Sequence, residues 1–340
     1  MYKSIKIEKF TAFEHLEINF SSGINVFIGA NGTGKTHVLK LIYAASDITR
    51  SKKGLAEKIN KVFLPSKEQI GRLVKRSAKS SKGFVEWVRE ERLEEVKIRL
   101  SMTSHTKEPD KATLSGAHKR WTEFPVESVY IPVKDMMANA PGFRALYSQR
   151  HIHFEEVYPD IIDRVFVPPL KGPPDPDRKR ILTLLQEAMD GKVITKNEEF
   201  FLKNKQGELE FTLLAEGIRK LALLWVLIQN GTLLRGSILC WDEPETNLNP
   251  RLMKTVISIL IELQRMGVQV FLSTHDYVIL KEFDLQTEAQ DNVMYHAFSR
   301  NEEDNEIRVN TTQDYLAISP NAIDDTFGDL ATREIQRSMA

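Results

Sequence analysis

The sequence predicts an α/β fold: a mixed central sheet, an antiparallel β portion at the N-terminus and a helical insertion lobe. Three observations carry that expectation. Residues 4–20 alternate apolar and polar side chains as half-buried strands do. The second half of the chain alternates short apolar runs with segments of helical period, the pattern of strands interleaved with helices. Between an apolar strand and a helix stands the run Gly29-Ala30-Asn31-Gly32-Thr33-Gly34-Lys35-Thr36.

Taken in order, Ser4 to Phe10 and His15 to Phe20 read as a hairpin leading into the strand Ile24 to Ile28, and a helix follows over Lys35 to Ala45. Segment 48–92 is polar, basic and helical in parts. Glu95 to Met102 places Val, Ile, Leu and Met at every second residue, and Ser128 to Pro132 is another short strand. From 135 to 190 strand signals are missing, and Pro168, Pro169, Pro173, Pro174 and Pro176 mark a stiff loop within a helical lobe. Strands follow at Lys192 to Thr195, Phe200 to Lys203 and Leu209 to Leu213, then a helix from Glu216 to Gln229. A buried strand to Trp241, a helix near Leu252 to Met266 and the strand Val268 to Ser273 complete the alternation. A last hairpin, Val293 to Phe298 with Ile307 to Val309, precedes a short helical tail. The expected division is 1–47 for the first part of the core, 48–92 for a basic insertion, 93–134 for further core strands, 135–190 for the helical lobe and 191–340 for the second part of the core.

Composition narrows the class. No apolar run among the 340 residues approaches the length of a membrane span, and the first residues alternate instead of forming a charged-then-apolar leader, so a cytoplasmic protein with no membrane partner is expected. A single cysteine, Cys240, excludes a disulfide framework and is expected to pack in a strand. The formal charge is zero but uneven: residues 50–82 carry eleven Lys or Arg against two Glu, and residues 301–330 carry eight acids against one Arg. The basic stretch could neutralise nucleic-acid phosphates, dock on an acidic partner or form a solvated face. His151 and His153 lack the companion ligands of a metal site, and Asp175-Pro176-Asp177 sits among prolines and reads as loop chemistry.

The glycine-rich run completes G-x-x-x-x-G-K-[ST]. Gly29, Gly32 and Gly34 let the backbone turn its N–H groups inward, with Ala30, Asn31 and Thr33 between them, so that a triphosphate can be cradled. Lys35 is expected to reach the β- and γ-phosphates, Thr36 to offer its hydroxyl to Mg²⁺, and His37, in the first turn of the helix whose positive end faces the anion, to help bind the nucleotide. ATP with Mg²⁺ is the expected ligand pair. A second strand, Ser237 to Trp241, ends in Asp242-Glu243, which suits one carboxylate in the metal's shell and one polarising the attacking water.

Glu243 is followed by Pro244-Glu245-Thr246-Asn247-Leu248-Asn249-Pro250, and a later strand ends in Ser273-Thr274-His275-Asp276. With the order P-loop, Leu214-Ala215-Glu216-Gly217, carboxylates, histidine, the chain resembles the ABC-type ATPase heads of the RecF, SMC, Rad50 and OLD group. That resemblance implies a P-loop NTPase fold of ABC type, hydrolysis of ATP, and a homodimer with ATP sandwiched between the P-loop of one protomer and the signature helix of the other. It implies that His275 senses the γ-phosphate, that Glu216 and Gly217 occupy the signature place, and that Asn247 to Asn249 cross the dimer interface. Departures exist: Ala215 replaces the signature serine, Glu216 stands at a glycine, Asn249 replaces a common His, and no glutamine follows Ile131-Pro132, where Lys134 or Asp135 would have to link nucleotide state to the lobe. Arg219 or Lys220 could supply the missing signature donor.

Several readings of such a head stay open at this point. It could control a separate effector, a nuclease or toxin of bacterial antiphage defence. It could be a RecF-like repair clamp gripping DNA through residues 50–82. A self-contained OLD-type nuclease is disfavoured by the 65 residues that follow His275, and no long heptad array suggests an SMC or Rad50 arm.

Overall fold

The structure, a computed structural model, describes residues 1–76, 79–150 and 152–339. In chain order the strands are β1 (Tyr2–Phe10), β2 (Phe13–Asn19), β3 (Ile24–Gly29), β4 (Lys82–Glu91), β5 (Glu94–Thr103), β6 (Thr113–Gly116), β7 (Ser128–Ile131), β8 (Lys192–Lys196), β9 (Glu199–Asn204), β10 (Gly207–Glu210), β11 (Ile238–Asp242), β12 (Gln269–Thr274), β13 (Val293–Arg300) and β14 (Ile307–Thr312). The helices are α1 (Lys35–Ser51), α2 (Leu55–Phe63), α3 (His118–Glu123), α4 (Phe143–Arg150), α5 (Val157–Val165), α6 (Pro176–Met189), α7 (Glu216–Gln229), α8 (Pro250–Arg265), α9 (Tyr277–Gln286) and α10 (Ala322–Met339).

A six-stranded sheet in the order β14-β13-β3-β12-β11-β7 forms the centre, parallel throughout except for edge strand β14. Its inner strands are buried on both faces, which is why they read as continuous apolar runs. Val26, Trp241 and Leu272 face the core shared with α7 and α8, and Phe27, Cys240 and Phe271 face the core shared with α1. Burial pushes the Cys240 thiol well up, so packing is its role. On the α1 side lies an antiparallel sheet, β2-β1-β4-β5-β6. A small third sheet, β10-β9-β8, leads into α7.

Three boundaries differ from expectation. Strand β4 lies inside the segment expected to be an insertion, pairs with both β1 and β5, and makes 92/93 the turn of a hairpin. Its charged residues obscured it: Arg89 is buried, donating to the carbonyls of Trp121 and Phe124 and stacking 4.5 Å from the Trp121 ring. Helix α1 continues past the expected break at 47/48 because Asp47, Ile48 and Thr49 are all buried. The C-terminal tail is a long helix whose residues are all exposed or half-buried. Asp175 accepts a hydrogen bond from the Arg178 N–H and so caps α6. His151 lies outside the described residues, and no cluster of metal-ligating residues occurs among the described ones.

A ladder of polar contacts joins α1 to the lobe. Lys40, Tyr43 and Asp47 share one face of α1. They meet Glu155 at 2.6 Å, Asp160 at 2.7 Å and Arg164 at 2.5 Å along α5 and the residues just before it. Lys58 of α2, fully buried, bridges Asp47 at 2.8 Å and Asp160 at 2.5 Å. Burial pushes the Asp47 carboxyl up, but Lys58 and Arg164 outweigh it and hold the group down at about 2. Among the described residues, cations of the basic stretch are thereby or similarly paired: Lys58 here, Arg50 with Glu127, Lys53 with Glu156, Lys61 with Glu68 and Lys75 with Glu14.

Two enclosed histidines set an acid limit on stability. Burial, helped by Lys40, pushes His37 down to about 4, and burial pushes His296 down to about 3 between Asn25 and Thr311. Both bind protons more readily in the unfolded chain, so their contribution is complete above the ordinary histidine value and is lost progressively as pH falls from that value towards the folded ones. Chemical denaturation is expected to show a loss of about 2 kcal/mol per histidine between pH 7.5 and 5. A His296→Asn variant should lose a correspondingly shallower amount, and equal pH slopes for the variant and the parent protein would contradict the assignment.

Candidate functional site

Strands β3, β12 and β11 are neighbours, so their C-terminal ends present the P-loop, Ser273-Thr274-His275 and Asp242-Glu243 at one edge of the sheet. This is where open parallel sheets bind ligands.

The phosphate loop is shaped by glycine where close approach demands it. A Cβ at Gly29 would lie 2.2 Å from the Phe298 carbonyl oxygen of β13, and one at Gly34, where φ is +88°, would meet the Phe13 ring at 2.3 Å. Gly32, with φ at +79°, faces open space. Gly34 caps α1 without a side-chain hydrogen bond, which leaves the first-turn N–H groups of Lys35 and Thr36 directed outward. Lys35 folds over the loop, donating to the carbonyls of Gly29 at 2.6 Å and Ala30 at 2.9 Å, and Thr33 ties back to Ala30. Burial pulls the Lys35 ammonium down, opposed by Glu243, Asp242 and Glu245. Asn31 remains exposed at the crest.

Beside the loop, the Thr36 hydroxyl donates to Asp242 Oδ1 at 3.0 Å. Asp242 also accepts from Ser273 at 2.5 Å and Tyr130 at 3.0 Å. A hydroxyl and a carboxylate facing each other at the mouth of an N–H-lined loop are a hard-oxygen donor set. They fit a triphosphate with a divalent cation, which takes few protein ligands and shares the phosphates.

Glu243 follows in a left-handed backbone conformation, φ +48°, a strain on the order of 1 kcal/mol for a non-glycine residue. Its N–H bonds the Ser273 carbonyl at 3.1 Å, and a tight turn closes from Thr246 N–H to the Glu243 carbonyl at 3.2 Å. The half-exposed His275 ring sits with Nδ1 3.5 Å from carboxylate oxygens of both Glu243 and Glu245. Glu245 was not singled out in the sequence, although the second acid of Asp-Glu-Pro-Glu marked it. It is buried, with its carboxyl pushed up by burial, and accepts from Thr274 Oγ1 at 2.9 Å and the His275 N–H at 3.0 Å. Glu245 therefore shapes the loop that carries His275. Ser273 and Tyr130, which orient Asp242, also escaped the sequence reading because their partners are distant in the chain.

His37 departs from expectation. Its Nδ1 is 3.0 Å from the Thr11 hydroxyl and its ring packs 5.5 Å from Phe63, so the side chain turns away from the phosphate loop. Its place on α1 faces the β1–β2 turn. At the signature place, Ala215 offers no side-chain cap to α7. Glu216 is engaged within the chain, accepting from Asn247 Nδ2 at 2.8 Å and the Asp135 N–H at 3.3 Å. Gly217 allows α7 to press on the same loop: a Cβ there would be 2.9 Å from the Asn247 carbonyl oxygen. Neither basic residue is a ready donor to a partner. Arg219 pairs with buried Asp135 at 3.0 Å, and Lys220 is buried. Asp135, at the place lacking a glutamine, thus joins the lobe to α7.

The family described as "AAA domain, putative AbiEii toxin, Type IV TA system" matches residues 110–281, just over half of the chain, and a family described as "AAA domain" matches residues 4–123. Over 56 residues the chain is 45% identical to the DNA replication and repair protein RecF of Streptococcus pyogenes serotype M5 (strain Manfredo), a stretch covering 16% of this chain and 15% of that protein. The SMC head domain from Thermotoga maritima superposes with a TM-score of 0.54 at 15% identity over 92% of this chain and 99% of that one. An SMC head bound to the C-terminal winged-helix domain of ScpA gives 0.60 at 14% identity over 92% and 97%. An SMC head with an extended coiled coil, bound to the C-terminal domain of ScpA derived from Pyrococcus furiosus, gives 0.54 at 14% identity over 92% and 96%. No described helix is long and apolar enough to cross a membrane. With the family matched over half its length and the SMC-head fold over most of it, the chain belongs to the AAA-domain family so described and carries the fold of SMC head domains.

Proposed function

We propose that this chain binds and hydrolyses ATP with Mg²⁺, dimerises on ATP, and uses that cycle to control a separate effector protein, a nuclease or toxin of bacterial antiphage defence. The observation that carries the ATPase reading is the convergence of Lys35, Thr36, Asp242, Glu243 and His275 at the ends of three adjacent strands. In this reading the Gly29 to Thr36 loop and Lys35 hold the phosphates, and Thr36 and Asp242 hold the metal. The metal would neutralise phosphate charge. Glu243 accepts a proton from the attacking water as the bond to the departing ADP oxygen breaks, and His275, held by Glu245, steadies that water. Glu216 and Gly217 would meet the partner protomer's nucleotide.

Effector control is supported by the family's toxin–antitoxin description and by the SMC heads of similar fold that are bound to ScpA domains. A second reading, a RecF-like DNA clamp, is favoured by the short RecF match. Against it, Lys53, Lys58, Lys61 and Lys75 of the basic stretch already face carboxylates.

Tagged Glu243→Gln protein purified from its native cells with Mg²⁺-ATP, with and without nuclease treatment, separates the two. A stoichiometric protein that survives nuclease is the expected result. Recovery of nucleic acid alone, with binding that weakens steeply with salt and is lost on neutralising Lys75, Arg76 and Lys79, would replace effector control with the clamp.

A further inference from the structure

A buried lysine is costly unless acceptors meet its charge, and one under a catalytic turn calls for a reason. Lys220 is such a residue: it lies one turn into α7 and is 1% exposed. Its ammonium donates to the Thr246 carbonyl at 2.5 Å and lies 3.5 Å from the Glu243 carbonyl oxygen. Those carbonyls belong to the two ends of the turn that holds Glu243 in its left-handed conformation. The start of α7 is stitched to the same segment twice more, through Glu216 to Asn247 and through the close approach at Gly217.

We propose that Lys220 is a positioning residue for ATP hydrolysis, a buried ammonium that clamps the Glu243–Thr246 turn to the helix at the signature place and so holds the Glu243 carboxylate in its working position. The inference rests on the reading of Glu243 as the group that polarises water. It assigns to the residue once expected to reach a partner's nucleotide a role inside its own protomer. The carbonyls of a strained turn have few other donors: Thr246 N–H closes the turn on Glu243, and Ser273 holds Glu243 from the β12 side. A rigid link of this kind also means that any displacement of the α7 start is felt at Glu243. Burial pulls the Lys220 ammonium down, while Glu216, Glu245, Asp135 and Glu243 around it favour the charged form.

The test is Lys220→Met, of similar length without donors, alongside Lys220→Arg and Glu243→Gln. Lys220→Met is expected to lower kcat roughly 10- to 100-fold, the scale of a misplaced catalytic group. KM and ATP affinity should stay within about threefold, because the phosphate loop is untouched. In nucleotide-free protein, amide exchange over residues 243–248 should rise, and Lys220→Arg should restore part of both effects. Should Lys220→Met fail to melt cooperatively, Lys220→Gln, which keeps a donor, carries the same measurements. Wild-type kcat and unchanged exchange in the methionine variant, with Glu243→Gln inactive, overturn the clamp. Full turnover by Glu243→Gln removes the reading of Glu243 instead, and exchange then still reports whether Lys220 holds the turn.

Discussion

Glu243→Gln is expected to bind ATP as tightly as the parent protein while turning it over 10²- to 10⁴-fold more slowly, the usual range for loss of a general base. The substitution keeps size and shape, so Thr246 Oγ1, 3.3 Å from the carboxylate, retains an acceptor and the turn stays closed. Only the ability to take a proton from water is lost. Because hydrolysis is the step that would release an ATP-bound dimer, the variant should also accumulate as a dimer with Mg²⁺-ATP and stay monomeric with ADP. Single-turnover kinetics and light scattering on the same sample read both effects. Normal turnover would remove Glu243 from the chemistry and leave Glu245 or His275 as the group to examine.

Lys35→Ala is expected to weaken ATP binding by roughly 10²- to 10³-fold, as titration with a fluorescent nucleotide would show. Charge-assisted hydrogen bonds to phosphate are worth about 1.5–3 kcal/mol apiece, and the ammonium can make more than one. The structure adds a second cost. Lys35 laces the loop through the Gly29 and Ala30 carbonyls, so its loss also frees the cradle. Thermal stability should fall little, since the core beneath is formed by Val26, Ile28 and Val38, which the substitution leaves alone. Retention of tight binding would mean that the backbone N–H groups of the α1 start supply the affinity by themselves.

Contiguous motifs were legible because their physics is local. A loop with glycine at 29, 32 and 34, a strand ending in Asp242-Glu243 and another ending in Ser273-Thr274-His275 each announce a position at the end of a parallel strand, and strand order brings the three ends together. The sheet itself was legible from runs such as Ile238 to Trp241. What stayed hidden depends on tertiary partners. The run of cations at 50–82 read as nucleic-acid contact, a docking site for an acidic partner or a solvated face, yet Lys58 is fully buried, because Asp47 and the distant Asp160 neutralise it. Strand β4 was masked by Arg89, whose charge is satisfied by carbonyls and an indole face rather than by water. Arg219 and Lys220 read as candidates for a partner's nucleotide, whereas Asp135 and the Thr246 carbonyl claim them. Nothing in a linear sequence shows which of two adjacent basic residues points inward on a helix that packs on two sides.

The ladder between α1 and α5 bears on how this protein can be re-engineered. Its rungs alternate in sign and kind: Lys40 meets Glu155, the Tyr43 hydroxyl meets Asp160, and Asp47 meets Arg164, with Lys58 inserted from a third element. A lobe grafted from a relative would set its own charges against Lys40 and Asp47, and a single mismatched buried rung costs about 3–5 kcal/mol. Residues 155–164 and the matching face of α1 are therefore one cassette. Any chimera that exchanges the lobe has to move the P-loop helix with it, and the nucleotide site goes along.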